Sequence, residues 1–406
     1  MPSPSRAYLK AQAAIWRPLM RIGMYLHRLP QPWPSEPNFS RTMEVKEPYL
    51  PGTVTLYFYC PSSWGQRSPD KKYPILLNFH GGGFTIGRAT DDARWFYVAT
   101  EQLDCVVCSV EYRLAPEHPY PTGVQDGVAA MHWLQEHAEE LGLDISRVMT
   151  SGFSAGGNFC FTSVLMYNSE FHDKQRSVAA GTTRPRALST SGEQATSIPN
   201  TGRCTVIAIA AFYPAVDFTK GREHRRSTNP SPTHELPHYL TDLFDASYLH
   251  PTDLNLFDPF LSPAVANDSH LDELPHDILI HTCEYDGLAQ EGKAFAERLE
   301  MMGKRVFFRQ IDGVSHAFDR HPALTIPPSV KACYMDVCAV LKGLLIESEL
   351  GSPQEGGPAI GVGTVMEEDE DGMSPGLMES HGGGVAKGAD TGPNDVRRAS
   401  IIPKGQ

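Results

Sequence analysis

Four short segments hold the groups best suited to chemistry. Ser154 sits at the centre of Gly152-Phe153-Ser154-Ala155-Gly156. The pattern alone is weak, since a chain of 406 residues matches it by chance roughly one time in seven. Its context strengthens it. An apolar run, Arg147 to Ser151, precedes Gly152, and Asn158 to Tyr167 follows with helical character. A strand, a sharp turn and a helix would hold the serine in a strained conformation with its Oγ exposed. The flanking glycines suit a tight turn with close backbone approach, and the helix N-terminus favours a developing negative charge. A tetrahedral oxyanion also needs donors. His80-Gly81-Gly82-Gly83-Phe84 follows the apolar run Tyr73 to Phe79, so the N–H groups of Gly82 and Gly83 could join that of Ala155. A phosphate cradle is the rival reading, and no Gly-Lys-Ser/Thr or Gly-x-Gly-x-x-Gly continuation supports it. Serine needs a base. His316, in Gly313-Val-Ser-His-Ala-Phe, and Asp286, in Glu284-Tyr-Asp-Gly287, each lie just past a strand-like run. Their order along the chain (Ser, acid, His) suits nucleophilic catalysis at one edge of a parallel sheet.

The elements that must position these groups are legible as alternating strands and helices. Strands are expected at Tyr73–Phe79, Cys105–Val110, Arg147–Ser151, Thr205–Phe212, Asp277–Cys283 and Arg305–Ile311. Helices are expected at Val124–Leu141, Asn158–Tyr167, Leu288–Met302 and Val330–Ile346. Met43–Tyr59, with Pro51-Gly52 at its centre, reads as an antiparallel hairpin. The pattern predicts an α/β fold with a mostly parallel sheet covered on both faces. Residues 41–349 form the expected catalytic domain, interrupted by a flexible insertion at 172–203 and a cap insertion at 217–259. The latter would sit beside the C-terminal sheet edge, where open α/β sheets bind ligands.

These residues resemble the hormone-sensitive-lipase-type group of α/β-hydrolases, which are carboxylesterases and lipases. The resemblance runs from about Tyr73 to Gly343. It rests on H-G-G-G-F at His80, E-Y-R-L-A-P-E-H-P-Y-P from Glu111, G-F-S-A-G-G-N, E-Y-D-G-L-A-Q-E-G-K-A-F from Glu284, and G-V-S-H-A-F. It implies an eight-stranded α/β-hydrolase sheet, with Ser154 as nucleophile, Asp286 and His316 completing a triad, and Gly82, Gly83 and Ala155 as oxyanion donors. It also implies a cap made of N-terminal helices, within residues 1–40, and the insertion after the sixth strand. The Tyr112–Pro121 run carries no catalytic atom, and the resemblance gives it a structural role beside the oxyanion loop. Phe153 stands where the family usually has a polar residue, often Asp, and Gln290 where an acid is common, while Glu291 is kept. Phe84 and Phe153 are the candidate substrate-binding residues. The expected reaction is metal-free and cofactor-free hydrolysis of a small ester, with short to medium acyl chains or a bulky hydrophobic metabolite. Formamide or lactone hydrolysis would use the same groups. A non-catalytic small-molecule receptor on the same scaffold is the reading from another class.

Composition narrows the partners. The net charge of −13 disfavours a phosphate-backbone partner, so no nucleic acid is expected. The acidity is uneven: a dense run from Glu367 to Asp371 sits in the Gly/Pro-rich residues 350–406, read as a disordered, solvated tail, where Arg397-Arg398-Ala399-Ser400 is a weak kinase-site pattern. Eight cysteines lie mostly in apolar runs. Cys105 and Cys108 have a metal-pair spacing, but residues three apart in a strand face opposite sides, so buried packing is the reading. No run of about 18 apolar residues exists to span a bilayer, and no secretory signal is evident. Residues 6–28 contain Arg and Lys but no acid. Ile15, Leu19, Ile22, Leu26 and Leu29 recur at helical spacing opposite Lys10, Arg17, Arg21 and Arg28. Three readings remain for this segment: a cap helix, which is the one carried forward, an interfacial membrane helix, and a mitochondrial transit peptide. The expected location is cytoplasmic, with peripheral membrane or mitochondrion as alternatives. The oligomeric state stays open.

Overall fold

The structure, a computed structural model, describes residues 4–350 apart from 31–33, 35, 69, 180–201 and 321–324, with only the backbone for 173–179. The chain begins with helix α1 (Arg6–His27), followed by the hairpin β1 (Phe39–Val45) and β2 (Gly52–Tyr59). The central region runs β3 (Tyr73–Phe79), α2 (Ala93–Leu103), β4 (Val106–Glu111), α3 (Thr122–Leu141), β5 (Leu143–Phe153), α4 (Ala155–Ala179) and β6 (Val206–Phe212). Helices α5 (Arg222–Thr228), α6 (His238–Tyr248) and α7 (Asp268–Leu271) precede β7 (Asp277–Tyr285), α8 (Ala289–Met301), β8 (Arg305–Ser315) and α9 (Pro328–Leu350).

The eight strands form one sheet in the order β1-β2-β4-β3-β5-β6-β7-β8. Pairing is antiparallel from β1 to β4 and parallel from there onward. Strand β3 is buried along its whole length, as a parallel strand covered on both faces must be. Two apolar layers flank the sheet. One gathers Val124, Val128, Phe159, Val164, Phe295 and Leu299 from α3, α4 and α8; the other gathers Trp95, Phe96, Tyr334, Val337 and Leu341 from α2 and α9. Cys105 belongs to the second layer and Cys108 to the first, so the two thiols lie on opposite faces and share no ligand.

The expected α/β fold, hairpin and strands are present, with differences at the ends. Strands β5, β7 and β8 run two to four residues further toward the site than the apolar runs marked. Helix α2 carried no expectation. Helix α4 continues through His172 to Ala179, so the presumed start of the flexible insertion is helical; residues 180–201 lie outside the described residues, as do residues 351–406 with Ser400. The cap insertion contains α5 and α6 as its helical pattern implied. Within residues 1–40 a single helix is described, α1, not several. It packs against α6, where Trp16 stacks on Tyr239 with centroids 5.2 Å apart.

Candidate active site

Six parallel strands end at one edge, and the residue after each is a polar group or an aromatic hydroxyl; Tyr112 follows β4. His80 follows β3, Ser154 follows β5, Tyr213 follows β6, Asp286 follows β7 and His316 follows β8. This alignment is a consequence of parallel register: Phe79 pairs with Gly152, and Phe153 with Phe212. The sequence placed His80, Ser154, Asp286 and His316 at this edge; it gave no signal for Tyr213.

Ser154 has φ 56°, in the left-handed region, and its N–H donates to the Phe212 carbonyl at 2.9 Å. Such a conformation costs an L-residue roughly 1–2 kcal/mol, so the surrounding packing must enforce it. Gly156 explains part of that enforcement. A Cβ there would overlap the Phe79 carbonyl oxygen, so only glycine lets α4 start this close to β3. His316 Nε2 lies 2.9 Å from Ser154 Oγ, and its Nδ1 lies 2.7 Å from Asp286 Oδ2. The other carboxylate oxygen of Asp286 accepts the Leu288 N–H at 2.9 Å. Both Asp286 and His316 are buried, while Ser154 is partly open. With Nδ1–H held by the carboxylate, Nε2 is left free to accept the serine proton.

The oxyanion loop approaches from the other side. Gly82 and Gly83 have φ of 122° and 56°, and a Cβ on Gly83 would fall onto the Phe244 ring of α6. Among the described residues, no intramolecular hydrogen bond uses the N–H of Gly82 or Gly83. Ala155 opens α4, so its N–H has no partner within the helix. These glycines and Ala155 border the space around Ser154. The loop is held from behind. The Tyr112 hydroxyl donates to the His80 carbonyl at 2.8 Å and its ring stacks on the His80 imidazole. The Ala115 N–H donates to the Phe84 carbonyl at 2.9 Å, and Arg113 pairs with buried Asp126. The Glu111–Pro121 run therefore supports the loop structurally, as the resemblance implied. Complete burial pushes the His80 imidazole down to about 3, leaving it neutral near pH 7.

A second buried network lies under the loop, and sequence reasoning missed it. Arg320 pairs with Asp92, whose carboxylate also accepts from the Asn78 amide at 2.9 Å. Burial pushes the Asp92 carboxyl up to about 7, against the pull of Arg320. Asp319 accepts from the Tyr213 and Tyr334 hydroxyls, and the Tyr213 ring packs edge-on against His316. These side chains are far apart in sequence and belong to no short motif. Phe153 borders this network. Its ring stacks on Phe212 at 4.4 Å and lies under the Arg320 guanidinium, 5.0 Å away. The expectation that Phe153 forms pocket wall is thereby corrected. It packs into the α2–α9 layer and lines neither cavity at Ser154, since strand alternation turns it away from the site. Phe84 does line the site, stacked on Tyr248 with centroids 3.7 Å apart.

Two cavities meet at Ser154 and His316. The larger, about 370 Å³, is apolar and walled by Trp16, Leu19 and Met20 of α1, Ile86, and Leu240 and Phe244 of α6. The smaller, about 50 Å³, is bordered by Phe84, Asn229, Glu235 and Tyr285. The cap insertion is fastened beside it by a buried ion pair from Arg225 of α5 to Glu291 of α8, 2.7 Å long. Glu291 also accepts the Val216 N–H at 2.9 Å. Among the described residues no cluster of His, Cys, Asp or Glu is arranged to hold a metal.

Comparison with known proteins agrees with this architecture. The profile of the α/β-hydrolase fold matches residues 76–320, more than half of the chain. The arylesterase of Saccharolobus solfataricus is 28% identical over 249 residues, covering 60% of this chain and 68% of that protein. The carboxylic ester hydrolase LipN of Mycobacterium tuberculosis is 30% identical over 268 residues, covering 66% of this chain and 61% of LipN. Among solved structures, an ester hydrolase from the metagenome of Lake Arreo superimposes with a TM-score of 0.62 at 25% identity, covering 82% of this chain and 90% of that one. The chain belongs to the α/β-hydrolase fold family, in its hormone-sensitive-lipase-like branch, and is a carboxylic ester hydrolase.

Proposed function

We propose that Ser154 is the nucleophile, His316 the general base and Asp286 the group that orients it, acting on small, largely apolar esters. Ser154 Oγ attacks the ester carbonyl while His316 Nε2 takes its proton. Asp286 holds the imidazole by Nδ1 and stabilises the cation that forms. The tetrahedral oxyanion is met by the N–H groups of Gly82, Gly83 and Ala155. His316 then returns its proton to the leaving alkoxide, giving free alcohol and an ester on Ser154. Water, deprotonated by His316, repeats the sequence to release the acid. The larger cavity suits the bulkier apolar part of the substrate, and the smaller one a short group.

The observation that carries this reading is the hydrogen-bonded run from Ser154 Oγ through His316 to Asp286, 2.9 and 2.7 Å, beside loop N–H groups with no acceptor among the described residues. The test is a series of p-nitrophenyl esters from acetate to dodecanoate, with a fluorophosphonate probe. Turnover and labelling are expected for the native protein, and both vanish in Ser154→Ala. Turnover that survives in Ser154→Ala assigns the wrong nucleophile.

A further inference from the structure

Helix α1 is oriented against its own composition. Two of its arginines reach the protein body: Arg6 donates to the Ser247 carbonyl at 3.0 Å. Arg17 donates to the Thr85 and Ala115 carbonyls at 3.0 Å and pairs with Glu117 at 2.6 Å. Leu9, Ala13, Met24 and His27 are the side chains it buries. The periodic apolar stripe faces solvent instead. Ile15 is 61% exposed, Ile22 59%, Tyr8 56%, Leu19 48% and Leu26 46%, with Tyr25 and Leu29 exposed alongside. At 100° per residue these positions share one side of the helix, and Ala7, Ala11, Ala14 and Pro18 fill the gaps between them. No charged residue interrupts that side. Isolated exposed apolar residues are ordinary, whereas a continuous apolar helix face marks an interaction surface.

The rim of the face selects the partner. Lys10 and Arg21 are exposed along one border, and no acid occurs from residue 6 until Glu36. In a chain of net charge −13, Lys10 and Arg21 thus set positive charge along the border of this apolar face. A second copy docked symmetrically would set these cations against their own equivalents, while an anionic lipid surface meets them with opposite charge. No helix among the described residues is long and apolar enough to cross a membrane, so contact would be in the interface plane. Leu19 adds a functional link, because it is exposed on this face and also walls the larger cavity at Ser154.

We propose that the outward face of α1 docks on an anionic membrane surface, which brings the mouth of the larger cavity against lipid. Delivery of apolar esters from lipid into that cavity rests on the esterase reading; the docking itself does not. The test is co-sedimentation of the full chain with phosphatidylcholine vesicles, with and without phosphatidylserine. Binding to the serine-containing vesicles is expected, falling about tenfold or more in Ile15→Glu/Ile22→Glu. Hydrolysis of soluble p-nitrophenyl acetate stays unchanged in that variant, since neither residue lines a cavity. Lys10→Glu/Arg21→Glu removes the preference for phosphatidylserine. Failure to bind either vesicle, or binding that the paired isoleucine substitutions leave intact, overturns the proposal. So does a native dimer that those substitutions dissociate without any vesicle binding, which would make the face a self-association surface. Because sedimentation is read without turnover, an inactive protein would refute the esterase mechanism and leave this result standing on its own.

Discussion

Ser154 and Gly83 both sit at positive φ, of 56° in each case, for different reasons. Ser154 is held there by β5, by α4 and by its N–H bond to the Phe212 carbonyl, and the strain keeps Oγ facing His316. Gly83 is there because the loop must turn its N–H toward the same space while lying flat against Phe244. Gly83→Ala therefore displaces the Phe244 ring and tilts the loop. The expected result is a fall in kcat of about 10²–10³, the usual consequence of losing one oxyanion donor. Steady-state kinetics with p-nitrophenyl acetate checks it. An unchanged kcat would move the oxyanion site away from this N–H.

At the scale of elements, the cap insertion is tied to the sheet's helices by a buried charged contact. Arg225 of α5 and Glu291 of α8 are each about 3% exposed and meet at 2.7 Å, far from bulk water. Taking charges out of water is costly, so the pair adds little net stability, but removing one partner strands the other. Glu291→Ala is expected to lower unfolding stability by about 3–5 kcal/mol. The double substitution Glu291→Met/Arg225→Met recovers most of that loss. Urea denaturation of the three proteins checks this, and equal stability of the two variants would mean the packing, not the charge, was lost. Phe153 belongs to the same scale. The family usually has a polar residue there; here the ring instead stacks on Phe212 beneath Arg320. It acts on the sheet's far layer and has no direct route to substrate choice.

For the whole molecule, buried histidines set an acid limit. Burial pushes His281 down to about 4, far below its ordinary value near 6.5. Between those two values the unfolded chain binds a proton that the folded chain refuses, so stability falls as pH drops through that window. Integrating for one site gives about 2 kcal/mol lost between pH 7 and pH 5. His80, pushed down to about 3, acts in the same direction, whereas Asp92, raised to about 7, acts oppositely. The clean measurement is thus a difference. His281→Phe should lose about 2 kcal/mol less than the native protein between pH 7 and pH 5 by urea unfolding. Parallel pH profiles would show that His281 is not the group responsible.

Much of this protein is written in local sequence. Apolar runs of five to eight residues between helical repeats require a covered parallel sheet, because neither element can bury its face alone. The glycines around Ser154 and in His80–Gly83 are legible for the same reason: a tight turn leaves no room for a side chain. Strand order then carries Asp286 and His316 to the same edge. What local pattern leaves open is which side of an amphipathic segment faces inward. The spacing of Ile15, Leu19, Ile22, Leu26 and Leu29 defines a face in either case. Only the tertiary structure puts that face in solvent, because α1 meets the body through backbone carbonyls and Glu117 that its arginines can reach. Phe153 and the Arg320–Asp92 pair were hidden likewise. Their partners come from distant strands and helices, and burial is a property of the assembled molecule rather than of any segment.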